Sequence, residues 1–301
     1  MQEECLKWWK IFLKERDDLT RPDGRELFCY RVTEQEYSEL KRLLRKWLSA
    51  LPRYDNLAYL SDDLLFCKLF VLYGAEWWRR RYDGSGFCWE PILHALQADP
   101  AAWTPQQRSR CIRNGFDGWR IQVRQHGGLR YILSVALQGG LPLRLLAEGR
   151  GGLGRLLKRV LQLAAGTSIN RQDIEGWVES LHSMLPKSYR QPTIYLLLAE
   201  VVVTILRLKE EASLTGSADA VDRLDEQLPD WRNRFSLPLE DMHAQGLVAQ
   251  LLRDAVEIRL EKSSLSFSLE RCLEKIGDDW GLYSTISLPQ TVQQQELIPF
   301  F

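Results

Sequence analysis

Residues 61–81 read SDDLLFCKLFVLYGAEWWRRR, and this stretch decides the architecture. Ser61-Asp62-Asp63 supplies N-cap chemistry, and Arg79-Arg80-Arg81 closes the run where cations complement a helix dipole. Between them, Leu64 to Trp78 carries only Lys68 and Glu76 as charges. A helix apolar on every side either spans a membrane or lies inside a large core. This one is shorter than the ~20 apolar residues a span requires, and it holds a carboxylate. It therefore reads as a central buried helix. Thr193 to Leu208, with only Glu200 and Arg207 as charges, reads the same way. Lys68, Glu76 and Glu200 then need partners, because an unpaired buried charge is costly.

Helical periodicity extends outward from this helix to about residue 260. Glu3 to Arg16 forms a first amphipathic stretch, and Thr33-Glu34-Gln35-Glu36 is a capping box opening a helix that ends before Leu51-Pro52. Further helices are expected over about 89–97, from Thr104-Pro105 to Gln125, between Gly127-Gly128 and Gly139-Gly140, and over 141–148 and 153–165. The pattern continues over 170–185, 192–211, 217–227 and 239–261. After Lys262 the character changes: Ser264 to Ser268 alternates, and Gly281 to Leu288 is β-branched and aromatic. The expected fold is mainly α, an irregular multi-helix domain over 1–262 with room for a subdivision near 165–190. The start of a β-rich region follows over 263–301. The apolar end Leu297-Ile298-Pro299-Phe300-Phe301 suggests that this region is incomplete or docks on another chain.

The 301 residues carry 40 basic and 40 acidic side chains, which excludes a uniformly basic DNA-coating protein. The zero is a cancellation. Residues 1–74 hold 13 basic and 13 acidic groups, 75–160 hold 14 and 6, and 161–301 hold 13 and 21, for net charges of 0, +8 and −8. In the basic middle, Trp77 and Trp78 stand beside Arg79, Arg80 and Arg81. Arg113, Arg120 and Arg124 would fall within about 40° of one another on a continuous helix. Arg155, Lys158 and Arg159 form a third cluster. These eleven residues are the candidate contacts for a phosphate backbone or an acidic partner. Surface ion pairs, or docking on the acidic half of the same or a second chain, are the plainer uses of such charges. Eight of the eleven tryptophans lie in the first 119 residues, where core packing outweighs base stacking as their expected role.

Catalytic and metal motifs are weak. Gly149-Arg150-Gly151-Gly152-Leu153-Gly154 matches G-x-G-x-x-G, but a helix-like segment precedes it where a dinucleotide fold needs a strand. It reads as a glycine-rich joint between helices, with amides able to hold a phosphate. His94, His126, His182 and His243 lack zinc spacing, and the six cysteines include no C-x-x-C pair. No catalytic residue, metal or cofactor is assigned. Dispersed thiols and an acidic N-terminus without an apolar h-region fit a reduced, cytoplasmic setting with no membrane partner.

Leu72-Tyr73-Gly74-Ala75-Glu76-Trp77-Trp78-Arg79-Arg80-Arg81-Tyr82-Asp83-Gly84 and Phe87-Cys88-Trp89-Glu90-Pro91-Ile92 resemble the N-terminal region of DruH-like proteins of Druantia type III anti-phage systems. Gln138 to Leu146 and Asp278 to Pro289 are similar to it too. The resemblance implies a fragment of a longer bacterial defence protein with a DruE-like helicase as partner, and it transfers no catalytic residue. The leading expectation is a non-enzymatic helical module of such a complex, contacting DNA or a partner protein through 75–160. A self-associating scaffold, forming homo-oligomers without nucleic acid, and a cryptic nuclease or hydrolase are the alternatives.

Overall fold

The computed structural model describes residues 2–50, 59–85, 88–123, 130–148, 150–164, 170–214, 220–237, 239, 241–261, 268–276 and 279–287. Among these the protein is mainly helical. The first helices are α1 (Gln2–Lys14), α2 (Glu34–Ser49), α3 (Leu64–Arg81), α4 (Trp89–Ala95) and α5 (Pro105–Trp119). They are followed by α6 (Arg130–Gly139), α7 (Leu143–Glu148), α8 (Arg150–Ala164), α9 (Arg171–Ser180), α10 (Pro192–Glu211), α11 (Ala220–Gln227) and α12 (Met242–Glu261). The backbone of Ser268–Ile276 pairs antiparallel with Asp279–Ser287. The apolar end at 297–301 lies outside the described residues.

Two apolar clusters organise the helices. The first gathers α1, α2, α4, α5 and most of α3, from Cys5 to Ile121, together with Val135 of α6. The second gathers α7 to α12 with Trp78 and Tyr82 at the end of α3, and with Leu133, Ala136 and Leu137 of α6. Helices α3 and α6 pack on each other and form the wall between the clusters. That position explains why residues 69–75 are buried on every side of α3. The described part of the 165–190 stretch, from 170 on, contributes Ile174, Val178, Leu185 and Tyr189 to the second cluster.

Tryptophan fills the first core. The Trp9 and Trp119 rings meet edge-on at 4.9 Å, and Tyr30 meets Trp119 at 4.8 Å. Phe70 meets Trp103 at 4.9 Å. Such edge-to-face pairs add ~0.5–1.5 kcal/mol beyond the area they bury. The charges set inside α3 are also accommodated, since the Lys68 ammonium lies 4.5 Å from the Trp9 ring centroid. Glu200 of α10 pairs with Arg171 at 2.7 Å.

The capping box of α2 forms as its sequence predicts: Glu36 N–H donates to Thr33 Oγ1 at 3.2 Å and Thr33 N–H to Glu36 Oε2 at 2.8 Å. Arg16 adds a bidentate grip on the same carboxylate at 2.6 and 2.7 Å. Burial alone would raise the Glu36 pKa, but the hydrogen bonds from Arg16 and Thr33 outweigh it and hold the group below the ordinary carboxylate range. A depressed carboxylate stabilises the fold above its unfolded pKa of about 4.3 and loses that contribution as pH falls through the folded value. Glu36→Gln is therefore expected to lose about 2 kcal/mol at neutral pH, where charge-assisted bonds count most. Urea titrations should show the gap to wild type closing on acidification below about pH 4. A gap independent of pH contradicts the assignment.

Candidate functional site

Arginine clusters on three helices are the place to begin. At the end of α3, Trp78 is fully buried, stacks on Tyr82 at 4.1 Å and donates its indole N–H to the Gly140 carbonyl at 2.7 Å. Arg79 is 5% exposed, paired with Glu76 at 2.6 Å, and donates to the Val32 carbonyl at 3.2 Å. Arg80 shares Glu76 at 2.9 Å, reaches Glu34 and Val32, and lies over the Tyr37 ring. Trp77 is half-buried against the first cluster. The expected contact site at 77–81 is thus corrected. Trp78, Arg79 and Arg80 are internal struts around a buried carboxylate, and Arg81 alone of the five is exposed.

The expected arginine stripe on α5 is also corrected. The helix stops at Trp119, short of Gln125, because Arg120 turns left-handed with φ 62°. Ile121 N–H returns to the Phe116 carbonyl and Arg120 N–H to the Asp117 carbonyl, both at 3.0 Å. This is a Schellman C-terminus, with buried Phe116 and Ile121 supplying its apolar contact. Arg113 and Arg120 are both exposed, but Arg120 stands off the helical face, and Arg124 lies outside the described residues. Glycine is the usual occupant of such a position, since a Cβ there costs ~1–2 kcal/mol. Arg120→Gly is expected to stabilise the protein by about 1 kcal/mol, read as a higher urea midpoint. An unchanged or lower midpoint means the Arg120 side chain makes compensating contacts.

On α8, Lys158 pairs with Asp254 of α12 at 2.8 Å, while Arg155 and Arg159 are exposed. Arg159 also reaches the Gln162 amide oxygen at 3.2 Å. The glycine-rich stretch follows the helix ending at Glu148 but is itself mostly helical, with Gly149 outside the described residues. Helix α8 runs from Arg150, so the segment's described glycines are helical, and a Cβ on Gly152 would stand 2.5 Å from the Met184 carbonyl. Close helix packing, rather than phosphate capture, accounts for glycine there.

Sequence reasoning missed a cleft of about 290 Å³ between the two apolar clusters. Its lining comes from the chain before α2 (Glu26, Phe28), from α6 (Leu137, Gln138), from α10 (Glu200, Thr204, Arg207), and from Arg234 and Ser236. The Glu200, Thr204, Arg207, Glu211 spacing places a polar stripe along an otherwise apolar helix, and that periodicity was legible. A second cleft, lined by Gly24, Glu26, Arg120, Leu137, Arg171 and Glu175, shares Glu26 and Leu137 with the first.

Thiol chemistry is subdued. Burial pushes the Cys5 and Cys29 thiols up to about 11 and raises that of Cys111 as well. Among the described residues, no three His, Cys, Asp or Glu side chains gather as a metal site, and no helix is long and apolar enough to cross a membrane.

Residues 1–141 match the family model for the YjiT N-terminal domain, and residues 148–264 match that for the YjiT second domain. The gap between the two matches falls on α7, which follows the wall that parts the two cores. Protein YjiT of Escherichia coli (strain K12) is 27% identical over 304 residues, covering 96% of this chain and 55% of its own length. The chain thus spans about half the length of the curated relative it matches. No solved structure matches it.

Proposed function

We propose, starting from the likeness of its two halves to successive YjiT domains, that the chain is a non-enzymatic helical module of a longer protein that docks an acidic partner surface. The observation that carries this reading is the division of labour among the cations of 75–160. Arg79 and Arg80 are consumed inside the fold, while Arg81, Arg113, Arg120, Arg155 and Arg159 are exposed on a segment with net charge +8. Such an excess attracts anionic partners and speeds their encounter. The setting follows the Druantia resemblance alone: a bacterial anti-phage complex in the cytoplasm, with a DruE-like helicase as partner. Residues 263–301 would open a β-containing part of the longer chain.

A second reading, direct contact with DNA, is favoured by a shallow groove of about 480 Å³ on α5. There Arg110 and Arg113 line the same surface as Tyr131, Gln106 and Ser109. An aromatic ring lining the same groove as arginines suits single-stranded nucleic acid. Both readings are tested by co-purifying the full-length protein with its neighbouring helicase, with and without nuclease treatment, for wild type and for Arg113→Glu/Arg155→Glu/Arg159→Glu. Protein docking predicts nuclease-resistant retention that falls at least tenfold in the triple variant. Retention lost with nuclease and restored by added single strands supports the DNA reading. Equal retention of wild type and variant in every arm overturns both.

A further inference from the structure

We propose that the cleft between the two apolar clusters is a binding site for a small organic anion, its carboxylate or phosphate head held by Arg207 and the Ser236 hydroxyl. This inference is independent of the surface reading above, because neither residue belongs to the basic middle segment.

Most polar groups of the cleft already have partners. Gln138 accepts from Leu27 N–H at 2.7 Å and donates to Glu26. Glu200 is neutralised by Arg171 at 2.7 Å, and Thr204 donates its hydroxyl to the Glu200 carbonyl at 2.8 Å. Arg234 is paired with Glu211. Glu200 and Glu211 are thus neutralised by Arg171 and Arg234, while Glu26 is hydrogen-bonded by the neutral Gln138 amide and keeps its charge. Two groups remain. Arg207 is exposed at the cleft and makes no hydrogen bond or ion pair among the described residues, so its guanidinium fork is available to a carboxylate or phosphate. Ser236 is 7% exposed and lines the same cleft, and its buried Oγ has no hydrogen-bond partner. Buried hydroxyls are nearly always bonded, and Ser236 Oγ keeps both a donor and an acceptor to offer.

The rest of the wall sets the size and body of the ligand. Phe28, Leu137, Leu197 and Leu208 supply apolar surface, and 290 Å³ is about ten water volumes. That space admits a small ring or short chain behind the anionic head. The walls come from both halves of the chain, at the kind of junction where ligand sites concentrate. Occupancy would tie Glu26 and Phe28 to α10 and the 234–236 segment, and so stabilise the whole fold.

Phenyl phosphate, benzoate and inorganic phosphate are the probes, titrated calorimetrically into the full chain with melting followed in parallel. Phenyl phosphate or benzoate is expected to bind at one site per chain, more tightly than inorganic phosphate, and to raise the melting temperature. Arg207→Ala, at an exposed position, should retain the wild-type melting temperature without ligand and weaken binding at least tenfold. Ser236→Ala, which removes a hydroxyl that bonds nothing, should weaken it about fivefold with the fold intact. Absence of saturable binding by all three probes overturns the proposal. So does binding that Arg207→Ala leaves unchanged.

Discussion

Glu76→Ala is expected to destabilise the protein by about 3–5 kcal/mol, the cost of leaving a buried charge without its partner. The carboxylate is 2% exposed and is shared by Arg79 at 2.6 Å and Arg80 at 2.9 Å. Arg79 is itself almost wholly buried, so truncating Glu76 strands a guanidinium whose remaining contact is the Val32 carbonyl. Urea denaturation should show the loss as a lower midpoint at unchanged slope. The double variant Glu76→Leu/Arg79→Leu is expected to lose less than Glu76→Ala, because apolar replacement of a buried pair avoids desolvating either charge. If the double variant proves the less stable, the cluster contributes net stability. A near-neutral Glu76→Ala would show that Arg79 can reach water.

Gly140→Ala should cost about 3 kcal/mol, and its effect should concentrate where the two halves meet. Gly140 has φ +75°, which a side chain strains, and a Cβ there would lie 2.4 Å from the Ser236 carbonyl oxygen. That oxygen accepts the Leu141 N–H at 2.9 Å, and the Gly140 carbonyl accepts the Trp78 indole at 2.7 Å. One methyl group therefore disturbs two links, one tying α3 to the chain just after α6 and one tying that chain to the 235–237 segment. Gly176→Ala is the control, since nothing lies within 4 Å of a Cβ on that helical glycine. It should stabilise α9 by about 0.5–1 kcal/mol. Differential scanning calorimetry decides the matter: a Gly140→Ala midpoint equal to wild type would mean that the junction yields freely.

Local chemistry explains which features were readable. The capping box at Thr33 and the N-cap at Thr104 form as written, and the central helix ends at Arg81. The end of α5 was not readable, because the residue that turns left-handed is Arg120 rather than glycine, and its turn is stabilised by Phe116 and Ile121 meeting in a core. Part of the arginine reading could have been sharper. Glu76 stands three and four residues before Arg79 and Arg80, the spacing that brings side chains together on a helix. The cleft was half legible: the stripe from Glu200 to Glu211 shows in the spacing, but Glu26, Gln138 and Ser236 reach it from distant parts of the chain.

Sequence alone determined the helical class, the helix starts, the aromatic core and the hidden split of charge, because each rests on periodicity or on residues a few positions apart. Tertiary structure decided which cations are struts and which are surface, where the two cores divide, and that Arg207 and Ser236 share a cleft. Those outcomes depend on burial and on contacts between distant segments, such as the 2.9 Å bond from Leu141 N–H to the Ser236 carbonyl. No local pattern encodes a bond of that kind.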